Sequence, residues 1–468
     1  MEQENAKGQF NSNFGFLMAA LGSAVGLGNL WSFPYKLGMG GGFTFLLLYV
    51  ILSIVVGYPI MLTEIALGRK TRKGAIEAFD TMNPKFKFIG IGQTIVPFFL
   101  ICFYCTFGGY ILKYLIASLV ALFDKNAPLN TADSAEYFGE MITSTAPGVV
   151  WMTIFLIMTV ALIIAGVSGG IEKFCTIAMP ALFFMMIIIV IRSCTLPGAG
   201  AGLEFLFKPD FSRWTTARGL FDDFKLTGSQ MFFSMSLCSG SILAYGSYLG
   251  KEENLEKDAF AIVMGDSIVA VLASMAIMPA VFAFGMEPGG GPGLLFVSMT
   301  AVFQGMGAAG KFFQFIFWLL VFFSALSSSL GMMEGGVSSV IDLREKKGKS
   351  GNSRTVVALF MGALAFIGNF MTTADALGGG TMMNWFHILG QDCVLNVWDA
   401  IAEGILMPLT GLLMAIVIGW PMSGWLNDEI ERGGREFKTK KFYNFCIKWF
   451  GPLMMFFIVY GQLKSFWG

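Results

Sequence analysis

The chain has 468 residues, of which 55% are hydrophobic and 13% are charged, and its mean hydropathy is +0.68. A soluble globule of this composition would be covered in apolar surface, so the composition excludes a soluble protein. The 31 basic and 31 acidic residues leave no net charge, and nucleic-acid binding, which needs a basic face, gains no support. The composition therefore indicates a polytopic membrane protein.

Long uncharged stretches recur along the whole chain, as expected of helices that need about 20 apolar residues to cross the hydrocarbon core. The first six lie between Lys7 and Lys36, Lys36 and Glu64, Lys87 and Lys113, Glu140 and Glu172, Lys173 and Arg192, and Lys225 and Lys251. Further stretches follow Asp266, Lys311, Arg354 and Glu403, and the last surrounds 449–463. The sequence thus predicts an all-α polytopic membrane protein with eleven transmembrane helices, span 11 being 441–465.

Basic loops set the expected orientation, because lysine and arginine collect on the cytoplasmic side. The loops over 68–88 and after Asp342 are both rich in these residues. Alternation from them places the N-terminus in the cytoplasm and the C-terminus outside. The polar start and glycine-rich first run do not read as a cleaved signal peptide. We expect a multi-pass protein of the cytoplasmic (inner) membrane, in contact with membrane lipid and not nucleic acid, and either a monomer or a homodimer.

Two predicted spans are poor helices. Span 1 contains the glycine-rich run 22–29, and span 6 contains the serine-rich run 234–241. Backbone freed at mid-membrane is tolerated where it lines a cavity, and broken spans at corresponding places in two sets of five are typical of an inverted-repeat transporter. Small residues for tight helix packing are the alternative explanation. We expect a single transmembrane domain over 1–468, with repeats over 12–193 and 223–420.

Five collinear segments carry a specific resemblance. They are NFGFLMAALGSAVGLGNLWSFPY over 13–35, GYPIMLTEIALGR over 57–69, GGIEKFCTIAMP over 169–180, FKPDF over 207–211 and QMFFS over 230–234. Together they resemble the neurotransmitter:sodium symporter family, including the bacterial leucine transporter. The resemblance implies a leucine-transporter-like fold, with a 5+5 inverted repeat and broken spans 1 and 6. It also implies sodium-coupled symport of an amino acid by alternating access.

The resemblance implies two Na⁺ sites, which suits a hard cation that prefers several oxygen ligands. The first site would combine the Ala24 carbonyl, Asn29, Ser234 and Asp266, with the substrate carboxylate completing the shell. The second site would combine the carbonyls of Gly22, Val25 and Ser324 with the hydroxyls of Ser327 and Ser328. No organic cofactor is expected.

Asp266 departs from the animal members of the family, where the matching position resembles an asparagine and chloride compensates the charge. A fixed carboxylate can replace that anion. The position four residues further on, where those members look to have a serine ligand for chloride, is Ala270. The resemblance therefore implies transport that depends on sodium and not on chloride.

The implied substrate pocket centres on the unwound turn of span 1, where the backbone N–H groups of Leu27 and Gly28 can bind a carboxylate. Tyr104 would hold the same carboxylate, and Gly26 stands where monoamine carriers have an aspartate, which disfavours monoamines. Ser239 replaces a bulky apolar residue and admits either a large or a polar substrate side chain. The other lining residues would be Ala24, Leu100, Phe233, Ser234, Ser236, Ser328 and Met332.

Gates are expected on both sides of this pocket. At the outer gate Asp399 matches the family's aspartate, but Ser32 replaces its usual arginine partner, which leaves a serine–carboxylate contact and the apolar lid Phe233. The sequence offers no group to balance Asp399 and Glu403. At the inner gate Lys7 would pair with Asp342, supported by Tyr248 and Phe10, and lysine lacks the bidentate fork of an arginine. Buried Glu64 would hydrogen-bond the unwound part of span 1 or 6.

Enzymatic chemistry has little support, because no zinc or nucleophile motif is present and the only histidine, His387, lies in a predicted outer loop as a solvated or packing residue. The seven scattered cysteines read as core thiols. A sodium-dependent amino-acid receptor or a channel-like protein on the same fold is the alternative function, since the gates at Ser32 and Lys7 are weakened. Concentrative uptake would distinguish transport from both.

Overall fold

The computed structural model describes residues 8–288, 291, 293–349, 353–380, 382–432 and 435–467, and all regular elements within them are helices. Nine of these helices are long and apolar enough to cross a membrane, and the bent pair Asn13–Ala24 and Gly28–Met39 provides a tenth span. The bent pair is span 1. The others are span 2, Phe43–Thr71; span 3, Pro84–Phe123; span 4, Thr145–Ile164; span 5, Val167–Cys194; span 7, Leu255–Ala283; span 8, Ala308–Lys346; span 9, Ser353–Gly378; span 10, Val394–Gly419; and span 11, Lys440–Lys464.

Span 6 is divided into two shorter helices, Ala217–Ser234 and Ser241–Ser247. Neither helix reaches the length and hydropathy of the other spans, so the total of eleven transmembrane helices stays a prediction. Ser236, Cys238 and Gly240 between them have φ values of 52°, 58° and 71°. This left-handed backbone cannot continue a helix of L-residues. The predicted break in span 6 is confirmed.

The break in span 1 follows from its glycines. Its first half ends at Ala24, helical structure resumes at Gly28, and the two halves are bent by 45°. A Cβ atom added to Gly22 would lie 3.0 Å from Ser327 Cβ, and one added to Gly26 would lie 2.1 Å from Ser328 Oγ. Glycine therefore lets the broken turn of span 1 approach span 8 closely, and the predicted break is confirmed.

Glu64 of span 2 supports the break in span 6. Its side chain is fully buried, and its Oε2 accepts a hydrogen bond of 3.0 Å from the backbone N–H of Cys238. A free backbone donor at this depth needs such a partner, because water is excluded. The expected contact between Glu64 and an unwound segment is confirmed.

Spans 3 and 8 are packed against each other along much of their length, and span 1 lies against spans 5, 7 and 8. Large apolar side chains such as Ile177, Phe184 and Trp449 are exposed on the outer surface, as expected for residues that face lipid tails. The polar residues of the broken spans are enclosed by this bundle. The fold thus places the two breaks in spans 1 and 6 at its centre.

The cysteines and the histidine have simple surroundings. All seven cysteines are free thiols, and only Cys194 among them is partly exposed, which agrees with core thiols. His387 is half-buried and its Nε2 lies 2.7 Å from Asp375 Oδ1, so of the two expected roles it has that of a packing residue. The other oxygen of Asp375 accepts from the backbone N–H groups of Gly378 and Val394. This contact connects the loop between spans 9 and 10 to the adjoining ends of both spans.

Candidate functional site

The residues predicted for the first sodium site meet at the centre of the bundle. Asp266 of span 7 has no exposed surface. Its Oδ1 accepts a hydrogen bond of 2.8 Å from Asn29 Nδ2 and one of 3.1 Å from the Ser234 hydroxyl. Ala24 ends the first half of span 1 and is buried. The breaks in spans 1 and 6 therefore bring Asn29 and Ser234 to one buried carboxylate.

Tyr49 of span 2 also binds Asp266, and sequence reasoning missed it. Its hydroxyl donates to Asp266 Oδ2 over 2.6 Å. Among the residues that the structure describes, no basic side chain forms an ion pair with Asp266. Neutral donors alone leave the negative charge of a buried carboxylate uncompensated, which is unfavourable. The arrangement is suited to a bound cation.

The residues predicted for the second sodium site also meet, between spans 1 and 8. The Ser328 hydroxyl donates to the carbonyl of Gly22 over 2.9 Å, and the Ser324 hydroxyl donates to that of Val25 over 3.1 Å. The Ser327 hydroxyl donates to the carbonyl of Ser324 over 3.0 Å. All of these groups are buried and uncharged. They form a cluster of hard oxygen atoms that suits Na⁺ better than a transition metal.

Metal chemistry of another kind has no candidate site in the described part of the chain. Within it, no group of three or more histidine, cysteine, aspartate or glutamate side chains could hold a metal ion. The oxygen clusters around Asp266 and Ser328 are instead built from carbonyls, hydroxyls and one carboxylate. Their composition is that expected for an alkali cation.

The predicted substrate residues surround the break in span 1. The Leu27 N–H donates to the Tyr104 hydroxyl over 3.2 Å, so these two groups face each other. A Cβ atom on Gly26 would lie 3.0 Å from the same hydroxyl. A Cβ atom on Gly28 would lie 3.4 Å from the Phe233 ring. Leu27, Gly28, Tyr104 and Phe233 are therefore brought together.

The other predicted lining residues are all buried, but their contacts differ. Leu100 lies one helical turn before Tyr104 on span 3, and Met332 lies one turn after Ser328 on span 8. The Ser236 hydroxyl donates to the carbonyl of Ser23 over 2.8 Å and joins the two broken spans. The Ser239 hydroxyl donates to the carbonyl of Ser236 and to Ser241 Oγ, over 2.7 and 3.0 Å. Ser239 thus uses its hydroxyl within span 6.

A cavity of about 330 Å³ lies on the other side of Phe233, lined by Ser32, Asp399 and Glu403 among others. The expected hydrogen bond between Ser32 and Asp399 is wrong, because the Ser32 hydroxyl donates to Gln230 Oε1 over 2.7 Å. Gln230 Nε2 in turn donates to the Gly28 carbonyl over 2.8 Å. Gln230 is the nearer partner because it lies on span 6, directly beside span 1.

Lys36 provides the cation that the sequence did not reveal near Asp399. Its side chain is buried, with 6% of the residue surface exposed, and its Nζ forms an ion pair with Glu403 Oε1. Asp399, one turn before Glu403 on span 10, interacts electrostatically with both Glu403 and Lys36. Lys36 lies one turn beyond Ser32 on span 1. Its side chain reaches the face of span 10 that carries Asp399 and Glu403. Among the described residues, Lys36 thus pairs directly with Glu403 and acts on Asp399 electrostatically.

Of the residues predicted for the inner gate, Lys7 lies outside the described residues. Its predicted partner Asp342 accepts a hydrogen bond of 2.5 Å from the Gly74 N–H. Tyr248 packs edge-on against Phe10, with 6.3 Å between ring centroids, as expected of aromatic support. The Tyr248 hydroxyl, however, donates to Glu334 Oε1 over 2.6 Å. Sequence analysis did not single out Glu334.

Comparison with known sequences agrees with this geometry. The sequence profile described as the sodium:neurotransmitter symporter family matches residues 7–138 and 138–467. An uncharacterised sodium-dependent transporter of Haemophilus influenzae is 32% identical over 452 residues, which cover 94% of this chain and 93% of that protein. The human sodium- and chloride-dependent taurine transporter is 25% identical over 84% of this chain and 70% of its own length.

Comparison with solved structures gives the same result. The crystal structure of MhsT in complex with L-phenylalanine aligns with a TM-score of 0.86 and 31% sequence identity, covering 98% of this chain and 100% of MhsT. The predicted leucine-transporter-like fold is confirmed, and so is the prediction that the chain is not an enzyme. The family profile, the relatives and the fold together show that the chain belongs to the sodium:neurotransmitter symporter family of multi-pass, sodium-dependent transporters.

Proposed function

We propose that this protein couples sodium entry to the uptake of an amino acid across the cytoplasmic membrane. The observation that carries the proposal is that the Leu27 N–H faces the Tyr104 hydroxyl only two residues before Asn29, whose side chain binds Asp266. A substrate carboxylate held by Leu27 and Tyr104 would share a shell with a sodium ion at Asn29 and Asp266. Each ligand would then raise the affinity for the other by the same factor.

Two sodium ions belong to this proposal. The first would bind at Ala24, Asn29, Ser234 and Asp266, and the second at Gly22, Val25, Ser324, Ser327 and Ser328. The first set contains a carboxylate, whereas the second contains only neutral oxygen atoms. The first ion would therefore compensate the buried charge of Asp266, and the second would hold the break of span 1 against span 8.

We infer that the substrate side chain is large and apolar. The Ser239 hydroxyl is already bonded to Ser236 and Ser241, so Ser239 contributes space rather than a free polar group. MhsT, the structural neighbour, was solved with L-phenylalanine. The narrow space at Gly26, where a Cβ atom would lie 2.1 Å from Ser328 Oγ, disfavours the aspartate that a monoamine would require.

Alternating access would use the two sides of this bundle as gates. On the outer side, the cavity bounded by Phe233, Ser32 and Asp399 would close above the substrate. On the inner side, Lys7 and Asp342 would pair beside Tyr248. The proposal also includes two repeats, over 12–193 and 223–420, followed by span 11 over 441–465. It places the N-terminus in the cytoplasm and the C-terminus outside the cell. The assembly would be a monomer or a homodimer.

Uptake is expected to proceed equally well in chloride and in gluconate. Asp266 supplies a permanent negative charge beside the first sodium site, and Ala270, one turn further along span 7, offers no hydroxyl to a chloride ion. The measurement is sodium-driven uptake into proteoliposomes in either anion. A large loss of uptake in gluconate would contradict this prediction, and the human taurine transporter, which depends on chloride, is the natural positive control.

Substrate binding is expected to stabilise the purified protein only when sodium is present. A ligand that binds the folded state at 100 times its dissociation constant adds about 2.7 kcal/mol. We therefore expect a higher melting temperature with L-phenylalanine or a similar amino acid in sodium, and no change in potassium. The Tyr104→Phe variant, which lacks the hydroxyl that faces Leu27, is the matched control and should show a smaller shift.

The same assay separates the alternative functions when it is combined with uptake. Stabilisation independent of sodium, or by no amino acid, would argue against the shared carboxylate and sodium shell. Concentrative uptake into proteoliposomes supports a symporter. Flux without accumulation would instead indicate a channel-like protein, and binding without flux would indicate a receptor.

A further inference from the structure

The starts of spans 1 and 7, on the predicted cytoplasmic side, are joined by a side-chain pair that neither the sodium sites nor the gates use. Asn13 Nδ2 donates to Asp258 Oδ1 over 3.1 Å. Asn13 is the first residue of span 1, and Asp258 lies in the first turn of span 7 with 3% of its surface exposed. The pair therefore connects the first half of span 1 to span 7.

The second atom of each side chain in this pair is a buried acceptor without a donor among the described residues. These atoms are Asn13 Oδ1 and Asp258 Oδ2. An amide oxygen and an ionised carboxylate both only accept hydrogen bonds, so they cannot satisfy each other. Each buried acceptor left without a partner costs about 1–3 kcal/mol. An ionised Asp258 therefore leaves the pair half-formed.

One proton on Asp258 Oδ2 would satisfy both atoms. The acid O–H would donate to Asn13 Oδ1 while the Asn13 amide N–H donates to Asp258 Oδ1, which gives two antiparallel hydrogen bonds between a carboxylic acid and a carboxamide. No further group is required.

The charged groups around Asp258 do not compensate an ionised carboxylate. Glu253 before span 7, Arg69 at the end of span 2 and Arg435 before span 11 interact with it electrostatically. Arg69 is paired with Glu429 over 2.6 Å, and Arg435 is bonded to the carbonyl of Glu252. Neither arginine forms an ion pair with Asp258 in the described part of the chain.

The neighbouring start of span 1 meets a further carboxylate. Glu172 of span 5 accepts hydrogen bonds from the Asn11 N–H over 2.9 Å and from the Ser12 hydroxyl over 3.2 Å. Glu172 and Glu253 both add negative charge near the beginning of span 1. Of the charged groups that act on Asp258 itself, Glu253 favours its protonated form, whereas Arg69 and Arg435, each bonded to another group, oppose it.

We propose that Asp258 is a proton-binding site that latches span 1 to span 7 while the transporter is closed to the cytoplasm. The inference rests on the proposed alternating access, which assigns the closed side. When the first half of span 1 moves away, the two hydrogen bonds break, Asp258 meets water, and its Oδ2 releases the proton to the cytoplasm. By linkage, a lower cytoplasmic pH favours the closed state and a higher pH favours opening.

The first test is a direct measurement of the proton. In an infrared difference spectrum between the wild-type protein and the Asp258→Asn variant at neutral pH, we expect the wild type alone to show the C=O stretch of a protonated carboxyl group. Glu436→Gln, which changes an exposed acid, is the matched control and should leave that band intact. Identical bands in the wild type and in Asp258→Asn would overturn the proposal.

The second test follows the opening of span 1 with spin labels at the start of span 1 and at the end of span 4, both on the predicted cytoplasmic side. Between about pH 5.5 and about pH 8.5, the ratio of open to closed wild-type protein should rise roughly threefold to tenfold, the equivalent of one net hydrogen bond. Asparagine at position 258 can make the same two bonds to Asn13 without a proton, so Asp258→Asn should stay closed at both pH values. Asp258→Ala should be open at both.

Wild-type pH dependence in Asp258→Asn would exclude this latch, even if sodium-coupled transport is present. Failure of the proposed function would show instead as a loss of concentrative uptake in the wild type. The two spectroscopic tests do not require transport, so the two failures can be distinguished. A pH response that is lost in Asp258→Asn and retained in Glu436→Gln would support the latch.

Discussion

Replacing Asp266 by asparagine is expected to lower the apparent affinity for sodium about 10-fold to 100-fold, because hydrogen bonds and contacts to a charged group contribute about 1.5–3 kcal/mol. The variant keeps the shape of the side chain but removes its negative charge. The measurement is the sodium dependence of thermal stabilisation by the amino-acid substrate. Chloride should not restore the affinity, because Ala270 offers no hydroxyl to hold it.

Two further variants identify the origin of that effect. Tyr49→Phe removes only the hydroxyl that donates to Asp266 Oδ2, so we expect a loss of about 2-fold to 10-fold. Asp222→Asn changes a partly exposed acid that is 3.8 Å from Arg218 and should leave the sodium affinity unchanged. Wild-type sodium affinity in Asp266→Asn would show that Asp266 is a structural carboxylate and not part of an ion site.

The ion-site candidates could be predicted from sequence because their signals are local. Glycines in span 1 and serines in span 6 mark both breaks, and the collinear segments contain Asn29 and Ser234. Tyr49 carries no such signal. It is one aromatic residue in the apolar run FTFLLLYVIL of span 2, and its role depends on the direction of its side chain toward span 7. That direction is fixed by packing of three spans.

Lys36 was missed for a different reason. A lysine beside a long apolar run normally marks the end of a span, and the sequence analysis used it in that way. The structure instead buries Lys36 because the 45° bend of span 1 turns its second half toward span 10. Its partner Glu403 is 367 positions away along the chain. Neither the bend angle nor so distant a contact can be read from local pattern.

Breaking the buried pair of Lys36 and Glu403 is expected to abolish uptake and to destabilise the protein by about 3–5 kcal/mol, the usual effect of removing one partner of a buried ion pair. Lys36→Met leaves both Glu403 and Asp399 without a cation. Glu403→Gln should be milder, because Asp399 already interacts electrostatically with Lys36 and can accept it as a partner. Thermal unfolding and proteoliposome uptake measure the two effects separately.

A double variant separates a gate from a structural brace. Apolar residues can replace a buried ion pair with little loss of stability, so Lys36→Met combined with Glu403→Met should recover most of the melting temperature. If the pair is part of the outer gate, uptake should remain impaired in the double variant. Water can help to separate a charge pair beside the cavity of about 330 Å³, so the gate can reopen. Two methionines in contact would hold the gate closed. Wild-type uptake in the double variant would show that the pair only stabilises the fold and is not part of the gate.

The surface pair of Lys208 and Glu204 provides the matched control for both effects. Its side chains are 71% and 69% exposed, and such pairs contribute about 0–1 kcal/mol. Replacing both with methionine should change neither stability nor uptake appreciably. A comparable loss at this surface site would show that charge removal in general, rather than the position of Lys36 beside the outer cavity, causes the defect. The contrast therefore tests whether Lys36 has taken over the role of the arginine that Ser32 replaces.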